Sequence, residues 1–151
     1  MSYKNLQLEE NGGIATLTLN RPEKRNALTL GMMGELHAAW DEVEASAARA
    51  LIMTGAGKSF CSGMDLAALK SRSPAAEETA GSSSETVADS RQIADLFLRL
   101  YNFPKPVIAA VNGHAVAGGC GLATLCDVTL AVPEAKFGYP EVRVGFMPAF
   151  V

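Results

Sequence analysis

Two turns in this sequence carry residues that could bind a negative charge through their backbone N–H groups. The first runs from Lys58 to Leu66, and the second, from Asn112 to Leu122, contains Ala117-Gly118-Gly119-Cys120-Gly121. Each follows an apolar, strand-like segment and leads into a helical one. Glycine allows close approach of a ligand, and the first N–H groups of a helix lack partners within the helix. Two such turns that converge would form an oxyanion hole, a pair of donors for charge developing on a carbonyl oxygen.

Few side chains near these turns could move protons. Glu141 follows Phe137-Gly138-Tyr139-Pro140, and a carboxylate beside an oxyanion hole can act as a general acid or base. The same residue could equally be a surface carboxylate after a proline turn. We expect His114, beside the second turn, to pack or hydrogen-bond, and His37 to lie in a helix without a chemical role.

Strand-like and helix-like segments alternate around the two turns. Thr29 is a suitable cap for a helix that runs to about Ala45, because apolar residues follow it at helical spacing. A hairpin around Asn11-Gly12-Gly13 precedes it, and a short apolar strand follows. Strand–helix–strand order predicts crossover units and a parallel sheet in an α/β fold. The predicted strands are 6–8, 14–19, 50–53, 107–111 and 128–132, and the other predicted helices are 65–70, 85–101 and 119–126.

The chain reads as one core domain over residues 1–151 with a polar insertion. Residues 71–85 have almost no large apolar side chains and cannot offset the cost of ordering by burial. We therefore predict a mobile loop over 71–85, either a functional lid or a disordered segment. The sequence stops in the apolar run 146–151, whereas natural termini are usually polar. We expect the chain to be the N-terminal part of a longer protein.

Composition excludes several classes of function. With 151 residues, 48% of them hydrophobic, the chain is long enough for one core. Its net charge of −3 provides no basic surface for nucleic acid. No apolar run reaches the roughly 18 residues of a membrane span, and no targeting segment is evident. Three cysteines without a Cys-x-x-Cys pair indicate free thiols and no metal site. We expect a cytoplasmic protein.

Several segments, taken in order, carry a resemblance to a known family. They are Asn20-Arg21-Pro22 with Asn26-Ala27-Leu28, Ser59 to Leu66, Lys105 to Gly113, Ala117 to Cys120, and Cys126-Asp127 with Phe137 to Val142. This series is similar to that of the crotonase, or enoyl-CoA hydratase/isomerase, superfamily and covers nearly the whole chain. The resemblance implies a crotonase-type ββα spiral with two nearly perpendicular sheets, here without the C-terminal helical region. The segment Glu141 to Gly145 resembles the branch of 3-methylglutaconyl-CoA hydratase.

The resemblance also implies a role for individual residues. The N–H groups of Met64 and Gly118 would bind the thioester oxygen, and Glu141 would be the catalytic carboxylate. The implied substrate-binding residues are Ala27, Met64, Asp65, Leu66, Ala67 and Gly118. The substrate would be an acyl-CoA, so coenzyme A would be part of the substrate and no separate cofactor would be needed. Family members of this kind form homotrimers or dimers of trimers.

One position departs from the family pattern. The family's other catalytic glutamate directly follows the Gly-Gly-Cys unit, where this chain has Gly121. Two carboxylates can activate water and move the α-proton of an enoyl-CoA hydratase substrate. A single carboxylate can also shift a proton within a thioester, which is isomerase chemistry. The Glu-Val-Arg segment at Glu141 favours the hydratase, and an enoyl-CoA isomerase remains the alternative.

Other readings of the same residues stay open. An acyl-CoA-binding homologue without activity would keep the fold and the binding site. A dinucleotide-binding domain is also conceivable, since Gly119-Cys120-Gly121 partly matches a G-x-G-x-x-G motif and Glu141 lies where a ribose-binding acid could be. That motif lacks its third glycine and lies outside the first crossover unit. Lys24 and Arg25 form a charged turn that is either solvated or close to coenzyme A phosphates.

Overall fold

A computed structural model of the protein describes residues 2–68 and 84–144. It contains two sheets and three longer helices in these ranges. The strands are β1 (Leu6–Asn11), β2 (Ile14–Leu19), β3 (Ala50–Gly55), β4 (Ser59–Cys61), β5 (Val107–Val111), β6 (His114–Val116), β7 (Val128–Ala131) and β8 (Phe137–Gly138). The helices are α1 (Leu30–Ala45), α2 (Ser84–Tyr101) and α3 (Gly118–Leu125), with short 3-10 turns at Pro22–Lys24 and Glu141–Val144.

The larger sheet has the order β1-β2-β3-β5-β7. β1 and β2 form the predicted antiparallel hairpin, in which Gly12 and Gly13 both have positive φ, the conformation that a two-residue hairpin turn demands. The remaining neighbours are parallel, as the strand–helix–strand order predicts. In β2, Ala15, Leu17 and Leu19 are buried, so the alternation in the sequence identifies the face that packs on the core.

Helix α1 covers one side of this core. The side chain of Thr29 accepts a hydrogen bond from the Met32 N–H at 3.2 Å, which confirms the predicted cap and satisfies one of the free donors at the helix start. The buried residues of the helix recur at helical spacing. They are Met32, Met33, Leu36, Ala39, Trp40 and Val43. Helix α2 packs against both α1 and α3 and contributes Leu96, Phe97 and Leu100 to the core.

The smaller sheet has the order β4-β6-β8, with parallel pairing throughout. None of its three strands was predicted from the sequence, because segments of two or three residues are too short to show a hydrophobic period. This sheet matters for function, because β4 leads into the first glycine turn, β6 into the second, and β8 into the segment with Glu141. It therefore brings the three candidate segments to one side of the molecule.

Several predicted boundaries need correction by a few residues. Strand β1 extends to Asn11 and β3 to Gly55, α2 begins at Ser84, and α3 covers Gly118–Leu125. Of the predicted helix 65–70, residues 66–68 are helical and the last two lie outside the described residues. Of the predicted loop 71–85, positions 71–83 also lie outside them, while the last two already belong to α2. In the described part of the chain, no helix is long and apolar enough to cross a membrane.

Candidate active site

The first glycine turn is held by a short parallel bridge between Leu28 and Met64. The Leu28 N–H donates to the Gly63 carbonyl at 2.7 Å, and the Asp65 N–H donates to the Leu28 carbonyl at 2.8 Å. In a parallel bridge of this kind, the N–H of the residue in between faces away from the partner strand. The Met64 N–H accordingly has no hydrogen-bond acceptor among residues 2–68 and 84–144. It is available to a ligand.

The second turn presents Gly118 as the first residue of α3. The preceding residue, Ala117, has φ 52° and ψ −127°, a conformation that L-residues rarely adopt and that costs on the order of 1–3 kcal/mol. Its carbonyl accepts from the Gly121 N–H at 3.1 Å, and its own N–H donates to the Gly138 carbonyl at 2.8 Å. Since the first N–H groups of a helix have no partner within it, the Gly118 N–H is also free within the described part of the chain.

The two turns are in direct contact, and the contact is made at Gly63. A Cβ placed on Gly63 would lie 2.8 Å from the Cβ of Ala117, 3.0 Å from the Val116 carbonyl oxygen and 3.2 Å from the Gly118 nitrogen. A side chain larger than hydrogen would therefore separate the turns. Gly63 also has φ 86°, which an L-residue would adopt only with strain. The two free donors belong to residues on either side of this contact, so they are neighbours in space, as an oxyanion hole requires.

Glu141 is positioned by β8 and by the start of α3. The Gly138 carbonyl accepts the hydrogen bond from the Ala117 N–H. Glu141 is three residues further along the chain, a distance of at most about 11 Å, so its backbone lies near the second turn. One carboxylate oxygen, Oε2, is buried and has no hydrogen-bond partner among the described residues. A buried carboxylate oxygen without a partner is unfavourable unless a ligand or water satisfies it. This distinguishes Glu141 from the solvated surface carboxylate that the sequence left open.

Tyr139 lies between Glu141 and α3. Its hydroxyl lies near the side chains of Thr124 and Cys120, and burial, followed by Cys120 and then by the Glu141 charge, raises the pKa of Tyr139. The hydroxyl therefore stays protonated at neutral pH. Cys120 and Thr124 are four positions apart and lie on one face of the helix, so Tyr139 packs against that face of α3. No pattern in the sequence indicates a role for this tyrosine.

A second feature missed from the sequence is an ion pair next to the first turn. The Arg21 guanidinium donates to Asp65 Oδ2 at 3.1 Å, with the two side chains 15% and 14% exposed. Asp65 Oδ1 in turn accepts from the Ala68 N–H at 3.2 Å. That backbone hydrogen bond and the Arg21 side chain lower the pKa of Asp65. The family motif Asn20-Arg21-Pro22 was visible in the sequence, but nothing in it indicated a partner 44 residues away.

The predicted substrate-binding residues differ in their exposure. Ala27 is buried, Met64 and Gly118 are partly buried, and Leu66 and Ala67 are exposed. Leu66 is 45% exposed, a high value for a leucine. Asp65 has both carboxylate oxygens in hydrogen bonds within the protein. Their contacts with coenzyme A remain a prediction.

The remaining candidates have structural roles. Cys61, Cys120 and Cys126 are free and buried, and burial raises the pKa of Cys61 and of Cys126 to about 12. His114 accepts a hydrogen bond from the Lys136 N–H at 3.2 Å, and His37 packs edge-on against Trp40. Asp127 accepts from the Val107 N–H at 2.7 Å, so its carboxylate satisfies a backbone donor. Within residues 2–68 and 84–144, no three potential metal ligands cluster.

Comparisons with known proteins identify the family. The sequence pattern described as "Enoyl-CoA hydratase/isomerase" matches residues 9–151. A "Short-chain-enoyl-CoA hydratase" of Clostridium acetobutylicum is 40% identical over 152 residues, covering 99% of this chain and 55% of the relative. A "Crotonyl-CoA hydratase" of Syntrophomonas wolfei is likewise 40% identical over 152 residues, with the same coverage.

Solved structures give the same result for the fold. The crystal structure of an enoyl-CoA hydratase/isomerase from Xanthobacter autotrophicus Py2 has a TM-score of 0.86 and 41% identity, covering 95% of this chain and 52% of that one. The chain spans about half the length of the relatives that it matches. The two-sheet α/β architecture is that of the crotonase fold, and the chain belongs to the enoyl-CoA hydratase/isomerase family.

Proposed function

We propose that the intact protein is an enoyl-CoA hydratase, which adds water to a 2-enoyl-CoA thioester or removes it from the 3-hydroxyacyl-CoA. The single observation that carries this proposal is the contact of the two glycine turns at Gly63, which directly precedes Met64 and at which an added Cβ would lie 3.2 Å from the Gly118 nitrogen. Two backbone donors suit the thioester oxygen, because that oxygen gains negative charge when a nucleophile adds to the conjugated double bond. The relatives named as hydratases support the same chemistry.

Glu141 is the residue that we assign to proton transfer. In the hydration direction, its carboxylate takes a proton from water while the water oxygen bonds to the β-carbon. The electrons of the double bond move to form an enolate, whose oxygen is bound by the Met64 and Gly118 N–H groups. The Glu141 carboxyl then returns the proton to the α-carbon on the same face, which gives syn addition and balances the step. Oε2 of Glu141, which is buried and has no hydrogen-bond partner within residues 2–68 and 84–144, supports this assignment.

The substrate is an acyl-CoA, so coenzyme A enters as part of the substrate and no separate cofactor is required. The coenzyme A moiety is proposed to bind along Ala27, Asp65, Leu66 and Ala67. Its adenine end would lie near Ala27 and Leu66. Our candidate substrate is 3-methylglutaconyl-CoA, because the segment Glu141 to Gly145 resembles that of the 3-methylglutaconyl-CoA hydratase branch. We further propose that the intact protein is a cytoplasmic homotrimer or dimer of trimers, which sedimentation would test.

An enoyl-CoA isomerase is the alternative, and Gly121 is the observation that favours it. Without a second carboxylate at that position, one glutamate could remove a proton from a 3-enoyl-CoA and return it at another carbon, with no water involved. A homologue that binds acyl-CoA without turnover is the remaining candidate. The hydratase and both alternatives would use the same oxyanion hole, so binding does not separate them. The reaction products do.

The experiment is incubation of the intact protein with crotonyl-CoA, 3-methylglutaconyl-CoA and a 3-enoyl-CoA, with products identified by mass. Hydration adds the mass of water, whereas isomerisation leaves the mass unchanged. Glu141→Gln should still bind acyl-CoA but turn over about 10²–10⁴-fold more slowly. Glu134→Gln, at an exposed position of the same region, is the matched control and should behave as wild type. Reaction of the 3-enoyl substrate alone, at constant mass, would refute the hydratase assignment.

A further inference from the structure

The guanidinium of Arg21 joins the two chain segments that form the Leu28–Met64 bridge. It donates one hydrogen bond to the Ala27 carbonyl and one to Asp65 Oδ2 at 3.1 Å. Ala27 directly precedes Leu28 and Asp65 directly follows Met64, so the two contacts lie on both sides of the bridge. Both partners of the ion pair are about 15% exposed, which shields the pair from much of the screening by water.

Arg21 is itself fixed by a fully buried asparagine. Its backbone N–H donates to Asn26 Oδ1 at 2.9 Å. The Nδ2 group of Asn26 donates to the carbonyls of Ala56 at 2.9 Å and Ser59 at 2.8 Å, and Asn26 has 0% exposure. Ser59 belongs to β4, the strand that leads into the first turn. Asn26 therefore links the backbone of Arg21 to the strand that precedes the first turn, and the guanidinium of Arg21 contacts that same turn.

The direction of the Met64 N–H depends on this arrangement. The peptide that carries it links Gly63 to Met64, and it is held by the Leu28 N–H bond to Gly63 on one side and the Asp65 N–H bond to Leu28 on the other. If Asp65 shifts, the second bond shifts with it and the peptide rotates. A planar guanidinium with two forked donors can hold two acceptors at once, whereas a lysine ammonium acts as a single point charge.

We propose that Arg21 is a positioning residue, which aims the Met64 N–H at the thioester oxygen by holding Ala27 and Asp65 together. Arg21 itself does not contact the reacting atoms. This inference rests on the proposed function, because it assigns a purpose to the oxyanion donor described there. It predicts a loss in the chemical step, since a displacement of about 1 Å can cost on the order of 100-fold in rate.

The test uses Arg21→Lys and Asp65→Asn in the intact protein. Asp65→Asn keeps an oxygen for the Ala68 N–H and removes the charge, so it is the milder of the two changes. Arg99→Lys is the matched control, because Arg99 pairs with Asp41 at 2.6 Å and Glu44 at 3.3 Å between α1 and α2. The probe is butyryl-CoA, a saturated thioester that cannot be hydrated. Its carbonyl stretch is measured by infrared difference spectroscopy, together with kcat and KM for crotonyl-CoA.

In the wild type, hydrogen bonding should lower the carbonyl stretching frequency of bound butyryl-CoA. Arg21→Lys and Asp65→Asn should return it part of the way to the free value and lower kcat about tenfold or more. Arg21→Lys, which changes no proposed coenzyme A-binding residue, should leave KM changed little. The double variant should lose no more than the worse single variant. Arg99→Lys should change neither the frequency nor kcat.

Two results would overturn the proposal. An unchanged carbonyl frequency in Arg21→Lys and Asp65→Asn would mean that the ion pair does not aim the donor. A raised KM with unchanged kcat would mean that Arg21 binds the substrate instead. If the wild type itself neither shifts the carbonyl band nor turns over, the proposed function fails, and this outcome is distinct from failure of the positioning role.

Discussion

Replacing Gly63 by alanine should damage both the fold and the chemistry, and the structure sets the size of each effect. The backbone at Gly63 has φ 86°, and an L-residue pays about 1–2 kcal/mol to adopt such a conformation. The new Cβ would also lie 2.8 Å from the Ala117 Cβ, against an optimal carbon–carbon distance of about 3.5–4.0 Å. Overpacking of this kind costs about 1–3 kcal/mol. The expected loss in free energy of unfolding is therefore about 2–5 kcal/mol.

The same overlap predicts the loss of activity. To relieve it, the two turns must separate by about 1 Å, which moves the Met64 and Gly118 donors relative to each other. A displacement of this size can cost on the order of 100-fold in rate, so kcat should fall by about that factor while the variant remains folded. Urea unfolding measures the first effect. Turnover of crotonyl-CoA, in a urea-free buffer at a temperature where the variant is native, measures the second.

A matched glycine in helix α1 serves as the control. Gly34 is exposed, and a Cβ added there would meet nothing within 4 Å. Gly34→Ala should raise the free energy of unfolding by about 0.5–1 kcal/mol, because alanine is the better helix former, and it should leave kcat unchanged. The reasoning is refuted if Gly63→Ala matches the wild type in both stability and kcat, or if Gly34→Ala loses activity to the same degree.

Two further predictions concern the neighbouring residues. Gly118→Pro removes the second donor, and kcat should fall about 100- to 1000-fold. Because a following proline disfavours the conformation of Ala117 (φ 52°, ψ −127°), circular dichroism must show that the variant is folded. Gly118→Ala keeps the donor, and its Cβ would have only ordinary contacts, 3.7 Å from Phe97 and 3.8 Å from Leu28, so it should stay active; equal inactivity of both variants would contradict the donor role. The lowered pKa of Asp65 means that its stabilising effect is present above the unfolded carboxyl pKa, about 3.9, and is lost as the pH falls through the folded value. The stability difference between wild type and Asp65→Asn, followed by thermal unfolding, should therefore be largest near neutral pH and shrink in acid, and a difference independent of pH would argue against the ion pair.

The parts of the fold that could be predicted are those with a long local pattern. Helix α1 has a cap, a repeating apolar face and a length of 16 residues, and each of these can be recognised within the segment itself. The hairpin and the alternation in β2 are equally local. The strands of the smaller sheet have only two or three residues, and they form because distant segments supply partners. A short stretch of sequence does not reveal which distant segment will pair with it.

The candidate site shows the same division. The two glycine turns and Glu141 could be selected from residue types, their order and the family resemblance. The Arg21–Asp65 pair could not, because its members are 44 positions apart and charged residues are common throughout the chain. The position of Tyr139 near Cys120 and Thr124 of α3 could not be predicted either, since it depends on the path of the chain from β8 to α3. Pairing between distant side chains is a property of the assembled fold.

The glycines that first drew attention have more than one physical purpose. They were interpreted as residues that leave room for a ligand, but two of them make room for strand β4. A Cβ on Gly113 would lie 2.1 Å from the Lys58 carbonyl oxygen, and one on Gly119 would lie 2.2 Å from that of Cys61. Because β4 is enclosed so closely, the turn that follows it has little freedom to move relative to α3. The proposed pairing of the Met64 and Gly118 N–H groups would then depend on backbone packing around β4 and not on side chains of the two turns.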